Sequence, residues 1–335
     1  MSQPRPDRLV CPRDHTELDA GVELRCAQGH GYPTVGDVPV MLVEEHDPTG
    51  FAAESLQRLR EGTYDAAAKM KTNPGEVDPV VTDSIVRTNG VMYRHLQAGL
   101  PRYPIPELRL PPAHGHRLLD LGAGWGRWSV AASRLGYRPT AVEPQIELCL
   151  AARRAAAALG ADVRVVAGGG TVLPFLDDAF DVAFSYSVLQ HFDKQVARAA
   201  MREMVRVTRP GGLLLIQLAN RWGAKQLVNQ GLVASRARKV GTFRVRYWRP
   251  AELRAAVEEL TDEHRLEVDG FFSLDPQASD LDLLPSRYRA VVRTSELLRG
   301  ASVTVPALIG VADSIYVRAR VPGGRPEAGG QAATS

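Results

Sequence analysis

Short apolar runs recur along the second half of the chain, separated by longer stretches of helical character. Runs of this length bounded by turn residues read as buried strands. They fall at 117–120, 139–142, 163–166, 180–185 and 213–218. Helices are predicted from the glycines after Asp120 to about Leu135, over 145–159 with Gly160 as terminator, and over 195–208 with a stop at Arg209-Pro210-Gly211-Gly212. Two later runs, 264–272 and 313–320, complete seven strands. The alternation predicts an α/β fold, a Rossmann-like seven-stranded sheet with helices on both faces.

Before residue 116 the pattern differs. Residues 1–45 alternate short β-like pieces with turns and end in the apolar run 32–42. Residues 46–80 are polar and turn-rich, with one helix expected near 52–60 and a break at Thr72-Asn73-Pro74-Gly75. A helix is expected over about 82–98, and the proline-rich run 101–112 reads as an extended linker. These readings divide the chain into a β-rich module (1–45), a helical linker region (46–115), a main domain (116–320) and a Gly/Ala/Pro-rich tail expected to be disordered (321–335). Insertions at 221–249 and 273–312 are candidates for an α-helical cap over a substrate.

Composition narrows the function classes. Hydrophobic content of 44% and charged content of 24% are ordinary for a soluble globular chain, and a net charge of +3 gives no general argument for nucleic acid or membrane partners. No run is apolar enough for a membrane span, and the polar N-terminus lacks a signal core. Three cysteines do not suggest a disulfide framework, so a cytoplasmic location is expected.

The chemistry concentrates where the first strand ends. Asp120 runs into Gly122-x-Gly124-x-Gly126 and then a helix. Glycine permits positive φ and close ligand approach, and a helix N-terminus adds unpaired N–H donors. Glu143, at the end of the second strand, can accept both hydroxyls of a ribose. A dinucleotide fingerprint would need glycine at 127, where Arg127 stands. The spacing therefore favours a ligand with adenosine but no pyrophosphate.

The segment Leu118-Leu119-Asp120-Leu121-Gly122-Ala123-Gly124-Trp125-Gly126 resembles the first motif of class I S-adenosylmethionine-dependent methyltransferases. Ala141-Val142-Glu143-Pro144 resembles their second motif. Leu173-Pro174-Phe175 through Val182 and Arg206 through Gly212 resemble the segments before strands four and five in the small-molecule branch. The resemblance implies S-adenosylmethionine as cofactor, with Gly122, Ala123 and Gly124 under its methionine part, Asp120 at its amino group, and Glu143 with Pro144 at its ribose. Gly169 and Gly170 fall at the adenine end, where the family often has an aspartate; Ser185 and Tyr186 close the cofactor set.

Strand four leads into Ser187-Val188-Leu189-Gln190-His191, which should border the transferred methyl. His191 is the candidate general base, because histidine titrates near neutrality; packing and helix capping are its other reading. Tyr186 and Gln190 are either pocket-lining or structural. An Asn/Asp-Pro-Pro-aromatic motif is absent, and Cys149 falls in a helix away from the strand ends, so base-amino and cysteine-dependent C5 chemistry are disfavoured.

Cys11-x-x-x-His15 and Cys26-x-x-x-His30 form two pairs beside turns, and two Cys with two His can hold zinc. The module resembles the zinc ribbons that activate tRNA methyltransferases. Their usual spacing would put Asp14 and Gly29 at two ligand places, and a ribbon that no longer binds metal is the alternative. Arg236, Arg238, Lys239, Arg244, Arg246 and Arg249 cluster around Phe243, Tyr247 and Trp248, either for an anionic substrate or as a solvated face.

The leading expectation is methyl transfer to oxygen or nitrogen of a small-molecule acceptor, such as a specialised metabolite or sugar derivative, by a chain without nucleic acid or membrane partners and compatible with a homodimer. An RNA or protein methyltransferase using the N-terminal module for recruitment, or a non-catalytic cofactor-binding subunit, are the rivals.

Overall fold

The computed structural model describes residues 8–19, 21, 23–73, 75–88, 92–227, 245–272 and 277–323. The tail beyond 323 and four members of the basic cluster (Arg236, Arg238, Lys239 and Arg244, with Phe243) lie outside the described residues.

Seven strands form the central sheet: β6 (Arg117–Leu121), β7 (Arg138–Glu143), β8 (Arg164–Ala167), β9 (Phe180–Tyr186), β10 (Thr208–Ala219), β11 (Glu263–Gly270) and β12 (Ser314–Arg320), in the order β11-β12-β10-β9-β6-β7-β8. Strands β8, β7, β6, β9 and β10 are mutually parallel, while β12 runs antiparallel between β10 and β11. The α/β reading and its seven strands are thus observed, with ends shifted by a residue or more. The order reverses at β6, so the crevice beside the carboxyl ends of β6 and β9 is the topological switch point, where open α/β sheets bind ligands.

Helices cover both faces. Helices α4 (Arg127–Arg134) and α5 (Ile146–Ala158) follow β6 and β7, and α6 (Lys194–Val207) follows β9. The α6 face buries Ala197, Ala200, Met201, Met204 and Val207, with polar residues outward, as an amphipathic helix must. Further helices are α7 (Pro250–Glu258), begun by Pro250 at its first turn, and α8 (Ser286–Ala301) within the 273–312 insertion.

The N-terminal module is built from β1 (Leu18–Asp19), β2 (Leu24–Cys26) and β3 (Gly31–Tyr32), then a hairpin of β4 (Thr34–Val35) and β5 (Val38–Pro39). Gly36 and Asp37 turn that hairpin at positive φ. The module continues the large sheet at its β8 edge. Val40 bridges Ala167 in parallel, Met41 N–H donates to the Ala167 carbonyl at 2.7 Å, and Leu9 bridges Phe175. This pairing covers the end of the β8 edge at Ala167, where an open strand would invite edge-to-edge association. Val38, Val40 and Leu42 share one apolar cluster with Ile146, Leu150 and Ala167.

Between module and sheet, α1 (Phe51–Arg60), α2 (Tyr64–Lys69) and α3 (Pro79–Thr88) pack near α5. The single helix expected over 82–98 is instead α3 and a 3-10 turn at Arg94–Leu96; residues 89–91 lie outside the described residues. The proline-rich run is irregular as expected, but Tyr103, Ile105, Leu108 and Leu110 are buried in the core on the α4 face.

Candidate functional site

The glycine turn joins β6 to α4. Gly122, Gly124 and Gly126 have φ of 73°, 56° and 82°, the left-handed region that suits glycine. A Cβ at Gly122 would overlap the Val188 side chain, whereas one at Gly124 would meet open space. Gly122 N–H donates to the Val142 carbonyl at 2.8 Å, and Gly124 N–H to Glu143 Oε2 at 3.0 Å. Gln145 N–H donates to Glu143 Oε1 at 3.1 Å, so both carboxylate oxygens are fixed by backbone.

Asp120 is buried, and its Oδ2 accepts the Ser129 hydroxyl at 2.7 Å. Burial pushes the Asp120 carboxyl up to about 7, with the Ser129 bonds opposing. Burial likewise pushes Glu143 up to about 7 against its two backbone donors, with Asp120 adding a small repulsion. Among the described residues, no cation contributes to either shift. Two desolvated carboxylates beside a turn with outward room suit a ligand carrying an ammonium group and ribose hydroxyls.

Ala123 and Pro144 flank these two carboxylates on the same loops. The loop 168–171 follows β8, and Gly168 N–H donates to the Glu143 carbonyl at 3.1 Å. A Cβ at Gly169 would meet nothing, and one at Gly170 would press on the Phe192 ring. Thr171 donates to the His46 carbonyl at 2.8 Å, tying this loop to the chain just after the N-terminal module.

The end of β9 closes the site from the other side. Ser185 donates to the Leu121 carbonyl at 3.1 Å. Tyr186 stacks near Trp128, 4.6 Å between ring centroids, and its hydroxyl donates to Asp269 Oδ2 at 2.9 Å. Gln190 is structural: its Oε1 accepts the Ala219 N–H at 2.9 Å. His191 ends the 3-10 turn Leu189–His191, half-buried, and its carbonyl accepts Arg246 Nη1 at 2.7 Å. Arg246 also pairs with Asp193 at 2.6 Å, and the Arg249 guanidinium lies over Trp222, so the described part of the basic cluster makes ties within the chain. Cys149 is buried in α5, and burial holds its thiol well above the usual range.

In the module, Cys11, Asp14, Cys26 and His30 place one ligand atom each within 4.8 Å of one another. His30 Nδ1 lies 3.4 Å from both sulfurs and 3.2 Å from Asp14 Oδ2. The expected fourth ligand, His15, is exposed and outside this cluster, and Asp14 takes its place. The turn that closes with His15 N–H on the Cys11 carbonyl puts His15 at φ 55°, while Thr16 anchors the Asp14 carboxylate through its N–H and hydroxyl. Gly29 stands at φ 85° in the second turn and supplies no side chain.

Sequence reasoning missed Asp269, Arg109, Gln217 and Ser314, which converge under the β9 end from three strands and the proline-rich run. They carry no local motif.

Residues 118–212 match the family model described as a methyltransferase domain. An uncharacterized methyltransferase of Mycobacterium avium is 40% identical over 105 residues, 31% of this chain and 40% of that protein. Demethylmenaquinone methyltransferase of Mycolicibacterium paratuberculosis is 35% identical over 154 residues, 44% of this chain and 62% of that protein. The matched part thus spans less than two thirds of either relative. Among solved structures, the YcgJ protein of Bacillus subtilis aligns at 22% identity and a TM-score of 0.41, over 63% of this chain and 94% of its own.

Proposed function

We propose that this chain is an S-adenosylmethionine-dependent methyltransferase acting on an oxygen or nitrogen of a small molecule. The observation that carries the cofactor reading is the Gly124 N–H holding a buried Glu143 carboxylate beside a turn with room for a ligand. When bound, the cofactor supplies a methyl activated by its sulfonium. Glu143 would hold the ribose hydroxyls and Asp120 the amino group, each carboxylate gaining the positive or donor partner that burial denies it. Gly122 and Gly124 keep side chains out of the way. Methyl transfer is an in-line displacement, so the chain's main task is to align the acceptor and exclude water.

His191 is the proposed general base for a hydroxyl acceptor; its place in the turn after β9 supports this reading. Burial of Trp248 and the internal ties of Arg246 and Arg249 favour a small acceptor over RNA.

The N-terminal cluster is proposed to hold zinc through Cys11, Asp14, Cys26 and His30. Ligand atoms 2.0–2.3 Å from a tetrahedral zinc lie roughly 3.3–3.8 Å apart. The sulfur separations of 3.4 Å from His30 Nδ1 fall in that range, the 3.2 Å to Asp14 Oδ2 just below it, and all four atoms lie within 4.8 Å of one another. Calorimetry with S-adenosylmethionine tests the central reading: binding in the micromolar range is expected, and absence of binding refutes it. Elemental analysis tests the metal: one zinc per chain is expected, and a metal-free, fully folded protein refutes it.

A further inference from the structure

Where β9, β10 and β11 end and the antiparallel β12 begins, the sheet holds a polar chain of which the cofactor reading uses only Tyr186. Arg109 Nη1 pairs with Asp269 Oδ1 at 2.8 Å, and Asp269 is buried. Asp269 Oδ2 accepts the Ser314 hydroxyl at 2.7 Å and the Tyr186 hydroxyl at 2.9 Å. Ser314 Oγ contacts Gln217 Nε2, and Gln217 Oε1 lies 2.8 Å from Ser187 Oγ. Gln217 and Ser314 are buried as well.

The direction of every bond in this chain follows by elimination. Asp269, paired with a guanidinium, accepts only. Ser314 must then spend its one proton on Asp269, so its oxygen must accept, and Gln217 must face it with its NH2. That turns Gln217 Oε1 toward Ser187, which spends its own proton there. Ser187 therefore presents lone pairs alone to anything on its far side. An amide in the chain also blocks proton relay, so Ser187 orients a ligand and does not deprotonate it.

Ser187 stands beside the glycine turn. Its neighbour Val188 lies against Gly122, and Ser185 is bonded to Leu121. Ser187 is also held at φ 60°, unusual for a residue with a side chain, where such strain clusters at working sites.

We propose that Ser187, polarised through Gln217, Ser314, Asp269 and Arg109, is a specificity-determining hydrogen-bond acceptor for the methyl acceptor. It selects an amine, which can donate one N–H to Ser187 and still present another, and disfavours a carboxylate; a hydroxyl has a single proton, which the His191 reading already uses. The inference rests on the cofactor reading above.

The test needs no knowledge of the substrate. Sinefungin carries a protonated amine where S-adenosylmethionine carries its sulfonium methyl; S-adenosylhomocysteine carries neither. Calorimetry on the intact chain should show sinefungin binding about tenfold tighter than S-adenosylhomocysteine, as a hydrogen bond to a charged donor implies. Ser187→Ala should erase that advantage while S-adenosylhomocysteine affinity stays within about twofold. Ser187→Gly, which suits φ 60° and so preserves the fold, should do the same. If both ligands bind and the ratio is unchanged in both variants, this inference is overturned and the cofactor reading stands. If the wild-type chain binds neither ligand, the cofactor reading falls, and this inference with it.

Discussion

The two ends of the candidate site are built in opposite ways. At the cofactor end, backbone does the work: glycines at positive φ, N–H groups on Glu143, and strand ends that meet within one βαβα stretch. At the acceptor end, side chains do it: Arg109, Tyr186, Ser187, Gln217, Asp269 and Ser314 come from five separate segments. A backbone cradle tolerates little change at its glycines but leaves its two carboxylates electrostatically unpaired. A side-chain network tolerates backbone variation but fails when one polar partner goes. The first can hold a ligand through backbone alone, and the second depends on the exact side chains present.

The comparison can be broken most sharply at Gly122. Gly122→Ala places a Cβ into Val188 at φ 73° and should cost about 3 kcal/mol by combined strain and overpacking, with S-adenosylhomocysteine binding lost. Thermal denaturation and calorimetry read both; an unchanged Tm would sink the backbone argument. Asp269→Asn should cost nearly as much, about 2–3 kcal/mol, because it leaves Arg109 half-sheltered beside a neutral group and confuses the donor order beneath Ser187. Its folded fraction should keep near-native affinity for S-adenosylhomocysteine, and a large loss there would show the two ends to be one unit.

Glu143→Gln should weaken S-adenosylhomocysteine about tenfold to a hundredfold, since an amide has one accepting oxygen where the carboxylate has two, and its NH2 would face the Gly124 or Gln145 N–H. A smaller effect comes from pH. Asp120 and Glu143 are raised above their unfolded values to about 7, so the stability they contribute is full below about pH 4 and is lost as pH rises through about 7. Without ligand, Tm should fall between about pH 4 and pH 7. A ligand with an ammonium favours the ionised carboxylates, so binding at pH 6 should release protons and tighten toward pH 8. Proton uptake, measured by calorimetry in buffers of different ionisation enthalpy, would reverse the assignment. The smallest effect is expected at His15: His15→Ala should leave zinc content unchanged, whereas Asp14→Ala should lower it.

The cluster of Cys11, Asp14, Cys26 and His30 shows how local spacing misleads. Cys11, Cys26 and His30 were legible as residues that favour metals, and His15 was the natural fourth by residue type. Yet the turn geometry, with His15 at φ 55° and Thr16 holding Asp14, brings the Asp14 carboxylate beside His30 and Cys26 instead. Residue type records affinity for metal, while side-chain direction depends on the dihedrals of the turn. The proline-rich run 101–112 misleads differently. Its prolines hide any period, so the burial of Tyr103, Ile105, Leu108 and Leu110 could not be read from pattern.

By itself the sequence determined the strands and helices of the central sheet, the glycine turn and the placing of Glu143 behind it. Each of these depends on interactions a few residues apart or on one strand-turn-helix unit, where periodicity and residue type carry the physics. Only the tertiary structure decided which side chains gather with Cys11 and Cys26, the module's seat on the β8 edge and the polar chain under Ser187. Those depend on groups as distant in the chain as Arg109 and Asp269, brought together by sheet order and held by bonds whose direction exists only once all partners are in place.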